Sequence, residues 1–330
     1  MNGLTDGSAL KKIAAAIEKA KTALIFPHIS VDGDALGSSV ALCRAMRKQG
    51  KDVWIQIEDA IPENLKFMDK GYTTADSDRI AAADLCIALD CGETGRFPKR
   101  KEKFFSGGMT VCIDHHFTTE PFADLNYIDA DAAATAEIVY ALLGELGAEI
   151  DAETAEAIYT GIVTDTGRFG YSNTTKKTHL IAAELLDLGA DPSKIAVLLF
   201  QSVRREKLAL NSKVMDTLEI FAEGKGAIAV MTRKMLTETG AEADESEGIV
   251  EQLRNIRGVE VAGLVKEINF RQVKVSLRAK NGYGVSELAS AFGGGGHIRA
   301  AGYIAAAVPK EAAAELKAEI EKLLKKNPEA

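Results

Sequence analysis

The sequence predicts an α/β protein. A mostly parallel sheet covered by helices is joined by a helical connector to a smaller mixed α/β domain. Three observations predict it. Short apolar runs alternate with helical patterns through the first part of the chain. After Gly189, two charged, helix-like stretches follow with no strand between them. From about residue 220, β-branched runs with alternating polarity take over. The 330-residue length suits two domains. Their expected limits are residues 1–189, a linker at 190–218, and 219–330.

The elements follow in order. Thr22 to Phe26 is an apolar run of buried-strand length, and a helical pattern from Ala35 to Lys48 ends at Gly50. Asp52 to Glu58, Asp84 to Leu89 and Thr110 to Ile113 read as further strands, with helices expected near 77–83, 133–146, 151–163 and 176–188. Helices at 191–199 and 203–218 form the connector. Gly224-Lys225-Gly226 separates two β-like runs, a hairpin signal. Val259 to Phe270 and Gln272 to Lys280 read as strands, flanked by helices near 246–255 and 284–291. A strand at Tyr303 to Val308 and an Ala/Glu/Lys-rich helix at 309–326 close the domain.

Composition sets bounds on function. Apolar residues at 46% permit a real core. A net charge of -8 argues against a general grip on long duplex nucleic acid, yet leaves room for a small anionic substrate. The four cysteines (Cys43, Cys86, Cys91, Cys112) form no CxxC pair, so a reducing cytoplasm is expected. Lys11 and Lys12 are not followed by the apolar core of a secretory signal, and no run reaches the length of a membrane span.

Chemistry is concentrated around four of the five histidines, His179 lying outside the clusters. His28, Asp32 and Asp34 follow the first strand, Asp90 ends the third, and Asp114-His115-His116 ends the fourth. Ligand sites in open α/β sheets form at the carboxyl ends of strands, so these clusters share one edge. Asp165, in Gly161-Ile162-Val163-Thr164-Asp165-Thr166-Gly167, adds a carboxylate at a helix end. Singly, Asp34 would read as a helix cap and His28 as a core histidine. Together the five carboxylates and two or three imidazoles suit two divalent ions, Mn²⁺ or Mg²⁺ rather than structural Zn²⁺. Such a pair, about 3.5–4 Å apart, generates hydroxide and clamps a phosphoryl group.

His28-x-x-x-Asp32-x-Asp34, Asp90, Asp114-His115-His116 and Asp165, in this order, resemble the four motifs of the DHH phosphoesterases. The resemblance implies that His28, Asp32 and Asp90 hold one ion. Asp34, Asp90, His115 and Asp165 would hold the other, with Asp90 bridging. It gives His116 the substrate phosphate and Asp114 the task of orienting the histidines.

In the second domain, Gly293-Gly294-Gly295-Gly296-His297 precedes Arg299, and Arg278 sits on a strand where a guanidinium can grip phosphate. Alone, the glycines read as a flexible loop. Paired with the first domain they resemble the DHH-associated C-terminal domain. That likeness implies that Arg278 and His297 contact the phosphate or base of the nucleotide, that Gly294, Gly295 and Gly296 cradle it, that Arg299 is a further candidate contact, and that the cleft between the two domains is the active site. Length and domain pairing resemble the short members of the family that degrade oligoribonucleotides and remove the 3′-phosphate of pAp, with a homodimer implied. The alternatives are a cyclic di-AMP or pApA phosphodiesterase and, from another class, a non-catalytic nucleotide-binding protein. Four smaller signals complete the reading. Arg96 is a phosphate contact or a salt-bridge partner, Thr135 a helix cap, Cys91 a buried thiol and His179 a surface residue.

Overall fold

Strand formation in the first half follows from β-branched and apolar residues buried on both faces. The computed structural model describes residues 7–280 and 282–326. It divides into two compact units, Met1–Ser202 and Val203–Ala330, a division inside the stretch expected to connect the domains.

The first unit runs α1 (Gly7–Lys19), β1 (Thr22–Phe26), α2 (Gly33–Lys48), β2 (Asp52–Gln56), β3 (Thr73–Thr74), β4 (Leu85–Leu89), α3 (Lys101–Phe105), β5 (Met109–Asp114) and β6 (Leu125–Ile128). Four helices follow: α4 (Thr135–Glu145), α5 (Ala152–Asp165), α6 (Lys176–Asp187) and α7 (Pro192–Phe200). Its sheet has the order β3-β2-β1-β4-β5-β6, and every pairing is parallel. Strand order reverses between β1 and β4, so the ends of these two strands flank the switch-point crevice where such sheets bind ligands.

Alternate strand residues serve different faces. Ala23, Ile25, Ile87 and Ile113 pack with α1, α2, α4 and α5, while Leu24, Phe26 and Ala88 pack with Phe97 and Phe104. The second face is thus sealed by an aromatic cluster, with Phe26 and Phe104 edge-to-face at 5.4 Å. The helix expected near 77–83 does not form. Asp76 Oδ1 accepts the Asp78 amide at 2.9 Å, a local turn that competes with helix, and the stretch continues as turns and bends.

The second unit runs α8 (Arg205–Met215), β7 (Glu219–Phe221), β8 (Gly226–Met231), α9 (Arg233–Thr239), α10 (Ile249–Asn255), β9 (Val261–Asn269) and β10 (Gln272–Ala279). It ends with α11 (Ser286–Ala291), β11 (Gly295–His297), β12 (Ala300–Ala305) and α12 (Pro309–Lys326). Its sheet order is β11-β12-β10-β9-β8-β7, antiparallel except for β8 with β9. Leu316 and Ile320 of α12 cover one face, while Ile249 and Leu253 of α10 cover part of the other. The closing strand lies at 300–305, three residues before its expected place, because the glycine run pairs with it as β11 rather than looping freely. Among the described residues no helix is long and apolar enough to cross a membrane.

Helix α5 shows how the first unit's periphery is fastened. Asp151 caps it, accepting the Thr154 amide at 2.9 Å, and pairs with Arg44 at 2.7 Å and Lys48 at 2.9 Å. Partial burial opposes the Asp151 charge, but the amide, Lys48 and Arg44 outweigh it and hold the carboxyl below its ordinary range. A depressed folded-state pKa gives stability that is complete above the unfolded-state pKa of about 4 and is lost as pH falls below it. Asp151→Ala is expected to cost about 1–2 kcal/mol at pH 7. Urea titrations should show the gap from wild type narrowing progressively below pH 4. A gap independent of pH would mean that the charge contributes nothing.

Candidate metal centre

Each ligand candidate of the first unit is placed by the end of a regular element. His28 lies two residues beyond β1, 5% exposed, with Nδ1 2.7 Å from the Ile29 carbonyl. Because a carbonyl only accepts, that contact assigns the proton to Nδ1 and turns Nε2 to the site. Nε2 then faces Asp32 Oδ2 at 3.5 Å and Asp90 Oδ2 at 3.7 Å. His115 repeats the arrangement: Nδ1 lies 3.2 Å from the Ala132 carbonyl, and Nε2 faces Asp165 Oδ2 at 3.4 Å, Asp90 Oδ1 at 3.6 Å and Asp34 Oδ2 at 3.9 Å.

The carboxylates divide their oxygens. Asp32 is the N-cap of α2: Oδ1 accepts the amides of Asp34 and Ala35 at 3.1 and 3.0 Å, leaving Oδ2 toward His28. Asp34, 1% exposed, is not the cap; its two oxygens accept the Thr135 and Ala136 amides at 2.7 and 2.9 Å at the start of α4. Asp90, 3% exposed, takes a left-handed backbone at φ 58°, a strained conformation that Asp tolerates better than most residues. Its Oδ2 faces His28, and its Oδ1 faces both His115 and His116.

Asp114 is fully buried and serves the adjacent pair. Oδ1 accepts the His115 amide at 2.8 Å and the His116 Nδ1–H at 2.8 Å, while Oδ2 accepts the Thr119 hydroxyl. The His116 ring is therefore oriented by Asp114, whereas His115 owes its side-chain orientation to the Ala132 carbonyl.

Charge is shared unevenly. Burial, then the charges of Asp90, Asp165 and Asp32, raise Asp34 well above the carboxylate range. Burial also lifts Asp165, which reaches about 7 with Asp90 and Asp32 adding repulsion against the attraction of His115. Burial opposes a charge on His116, but the Asp114 hydrogen bond and Asp90 lift it to about 9. A cluster with this much repulsion fits a cation. The 3.4–3.9 Å separations from imidazole nitrogen to carboxylate oxygen exceed good hydrogen bonds. They suit donors sharing an ion at about 2.0–2.2 Å each. His28, Asp32 and Asp90 form one compact donor group, and Asp34, Asp90 and His115 another. Cys91 Sγ lies 3.4 Å from the Phe26 carbonyl and joins neither group, so the donors are oxygen and imidazole.

Three contributors were not read from sequence. Thr135, expected as a cap, is instead the first residue of α4, and its hydroxyl donates to Asp90 Oδ1 at 3.0 Å. Asn173 ties the Ala133 and Asp165 carbonyls together at 2.9 and 3.1 Å. Gly161 lets α5 approach: a Cβ there would meet Ala136 Cβ at 2.6 Å and Asp34 Oδ1 at 2.8 Å. A glycine inside a helical run was the available signal for Gly161. Arg96 is exposed, and its charge opposes protonation of His28. His179 is exposed and stacks on Phe169.

The second unit aligns its own candidates. Register places His297 opposite Ala300, and Ala300 opposite Arg278, so the three share one row and one face of the sheet. A Cβ at Gly294 would meet the Gly302 carbonyl at 2.2 Å, and Gly296 has φ 138° with Ala300 O 2.5 Å from its missing Cβ. These two glycines bring β11 close to β12. Gly295 borders open space, and Arg299 is exposed, its carbonyl accepting the Ala279 amide at 2.9 Å.

Comparison with known proteins agrees with both units. Residues 22–162 match the DHH family, N-terminal domain, and residues 223–326 match the DHHA1 domain. The bifunctional oligoribonuclease and PAP phosphatase NrnA of Thermus thermophilus is 34% identical over 84% of this chain and 82% of its own. The protein of the same name from Bacillus subtilis is 29% identical over 85% of this chain and 88% of its own. An exopolyphosphatase-related protein from Bacteroides fragilis superposes with a TM-score of 0.88 at 27% identity, covering 99% of this chain and 98% of that one. RecJ from Thermus thermophilus, solved with Mn²⁺, has a TM-score of 0.58 at 16% identity over 97% of this chain and 55% of its own, a likeness of fold.

Thr135→Val removes the hydroxyl on Asp90 while keeping the shape of the side chain. Calorimetric titration is expected to show divalent-ion affinity about 10–100-fold weaker with the fold retained. Unchanged affinity would leave that hydrogen bond without influence on the site.

Proposed function

The chain belongs to the DHH family, and on that premise we propose that it is a metal-dependent phosphoesterase of short oligoribonucleotides and of the 3′-phosphate of pAp. One observation carries the reading: the Asp90 carboxylate directs Oδ2 toward His28 and Oδ1 toward His115, at 3.7 and 3.6 Å. A single residue is thus available to two ions. His28, Asp32 and Asp90 are assigned to one; Asp34, Asp90, His115 and Asp165 are assigned to the other. Mn²⁺ is the preferred occupant and Mg²⁺ the alternative, given oxygen and imidazole donors. Such ions, when bound, lower the pKa of water and offset charge developing on phosphoryl oxygens.

The chain's own groups supply the rest. His116 donates Nδ1–H to Asp114, which fixes the ring and leaves its Nε2 edge for a phosphate oxygen. Asp114, engaged on both oxygens, acts through His116. In the second unit Arg278 is assigned to phosphate, His297 to the nucleotide, Gly294, Gly295 and Gly296 to cradling it, and Arg299 to assistance. The substrate class is supported by the names of the relatives at 34% and 29% identity. Four free, buried cysteines suit a reducing cytoplasm.

Hydrolysis of pAp, an RNA dinucleotide, pApA and cyclic di-AMP, measured with Mn²⁺ and with chelator, tests the reading. Turnover is expected on pAp and the dinucleotide, abolished by chelation and reduced roughly 10³-fold or more in Asp90→Ala. Turnover confined to pApA or cyclic di-AMP would move the substrate to the cyclic-dinucleotide class. Binding without turnover on all four would make the protein a nucleotide-binding module.

A further inference from the structure

We propose that Glu251 is the positioning residue of Arg278, fixing which edge of the guanidinium a substrate phosphate meets; this deepens the function proposed above and rests on it. Arg278 projects from β10 on the same face as Ser276 and Lys274, away from the face that α12 covers. Its cross-strand partners are Ala262 and Ala300. Single methyl groups on either side give a long, flexible side chain little lateral packing, so its direction must come from elsewhere.

Glu251 supplies it. Oε1 accepts from Arg278 Nε at 2.7 Å, and both side chains are about a quarter exposed. The carboxylate is itself well anchored, because Ile249, Val250 and Leu253 on the same helix are buried beneath it against the sheet. Arg278 Nη1 donates to the Leu277 carbonyl at 2.9 Å. Nε and one Nη1 hydrogen are therefore committed, and the Nη2 end of the fork remains for an anion. Glu251 Oε2 is buried with no hydrogen-bond partner, so a withdrawal of Arg278 would leave a half-buried carboxylate uncompensated. Arg278 accordingly engages phosphate without leaving Glu251, end-on through Nη2. The pair works as a fixed fork rather than a swinging arm.

Steady-state kinetics on pAp with Mn²⁺, for Glu251→Ala, Glu251→Gln, Arg278→Ala and the Glu251→Ala/Arg278→Ala double variant, test this, with melting temperatures alongside. Glu251→Ala is expected to lower kcat/KM about ten-fold, mainly through KM. Glu251→Gln, which keeps an acceptor at the same reach, recovers most of it. In the Arg278→Ala background the Glu251→Ala change adds no further loss, since Glu251 acts only through the arginine. Wild-type kinetics in Glu251→Ala, or a full additional loss in the double variant, would overturn the positioning role and leave Arg278's assignment standing. Wild-type kinetics in Arg278→Ala would overturn both. A lowered melting temperature with KM unchanged would make the pair structural only and reject the proposal.

Discussion

Five carboxylates, those of Asp32, Asp34, Asp90, Asp114 and Asp165, gather with His28, His115 and His116 at the carboxyl end of one parallel sheet, where burial strengthens their repulsion. Much of the surrounding architecture opposes that repulsion with oriented N–H and O–H groups. The first amides of α2 hold Asp32, the first amides of α4 hold Asp34, and hydroxyls from Thr135 and Thr119 serve Asp90 and Asp114. Helix starts are suited to this because their amides lack partners within the helix. Burial, joined by the charges of Asp90 and Asp32, still pushes Asp165 up to about 7 against the attraction of His115.

The sheet explains why these groups can meet at all. With β1 and β4 adjacent at the reversal of strand order, His28 and Asp90 emerge on neighbouring strands although 62 positions separate them in sequence. Asp114 follows on β5, the next strand along. Helix α5 then returns Asp165 to the same end, and Gly161 lets it lie close to α2. The aromatic seal on the opposite face holds the strands in place without contributing any charge near the site.

Strand ends and acidic-histidine clusters were legible because each is a local pattern of residue types. The cap was only half legible. Asp34 has the composition of a cap, yet Asp32 caps α2 while still offering its second oxygen to His28, a sharing that no single-residue rule anticipates. Thr135, Ala136 and Asn173 act through tertiary contacts, Ala136 by its backbone amide alone, and such contacts give a sequence little advance notice. The stretch at 77–83 misled because its alanines favour helix, while Asp76 just before it closes a turn on the Asp78 amide. The glycine run misled in the other direction. Its lack of side chains permits flexibility, but here it allows close approach to β12 and becomes an edge strand.

Asp90's position has a consequence for how such a protein can decay. Its backbone is held at φ 58°, a conformation that glycine adopts without strain, so the residue whose oxygens face His28 and His115 also carries a backbone cost to the fold. Replacing it with glycine would relieve that backbone strain, and loss of this carboxylate would be favoured by folding. Selection for stability alone would therefore act against this position. A descendant freed from its chemical task would keep the sheet, the aromatic seal and the glycine edge strand, and would gain from surrendering this one aspartate to glycine.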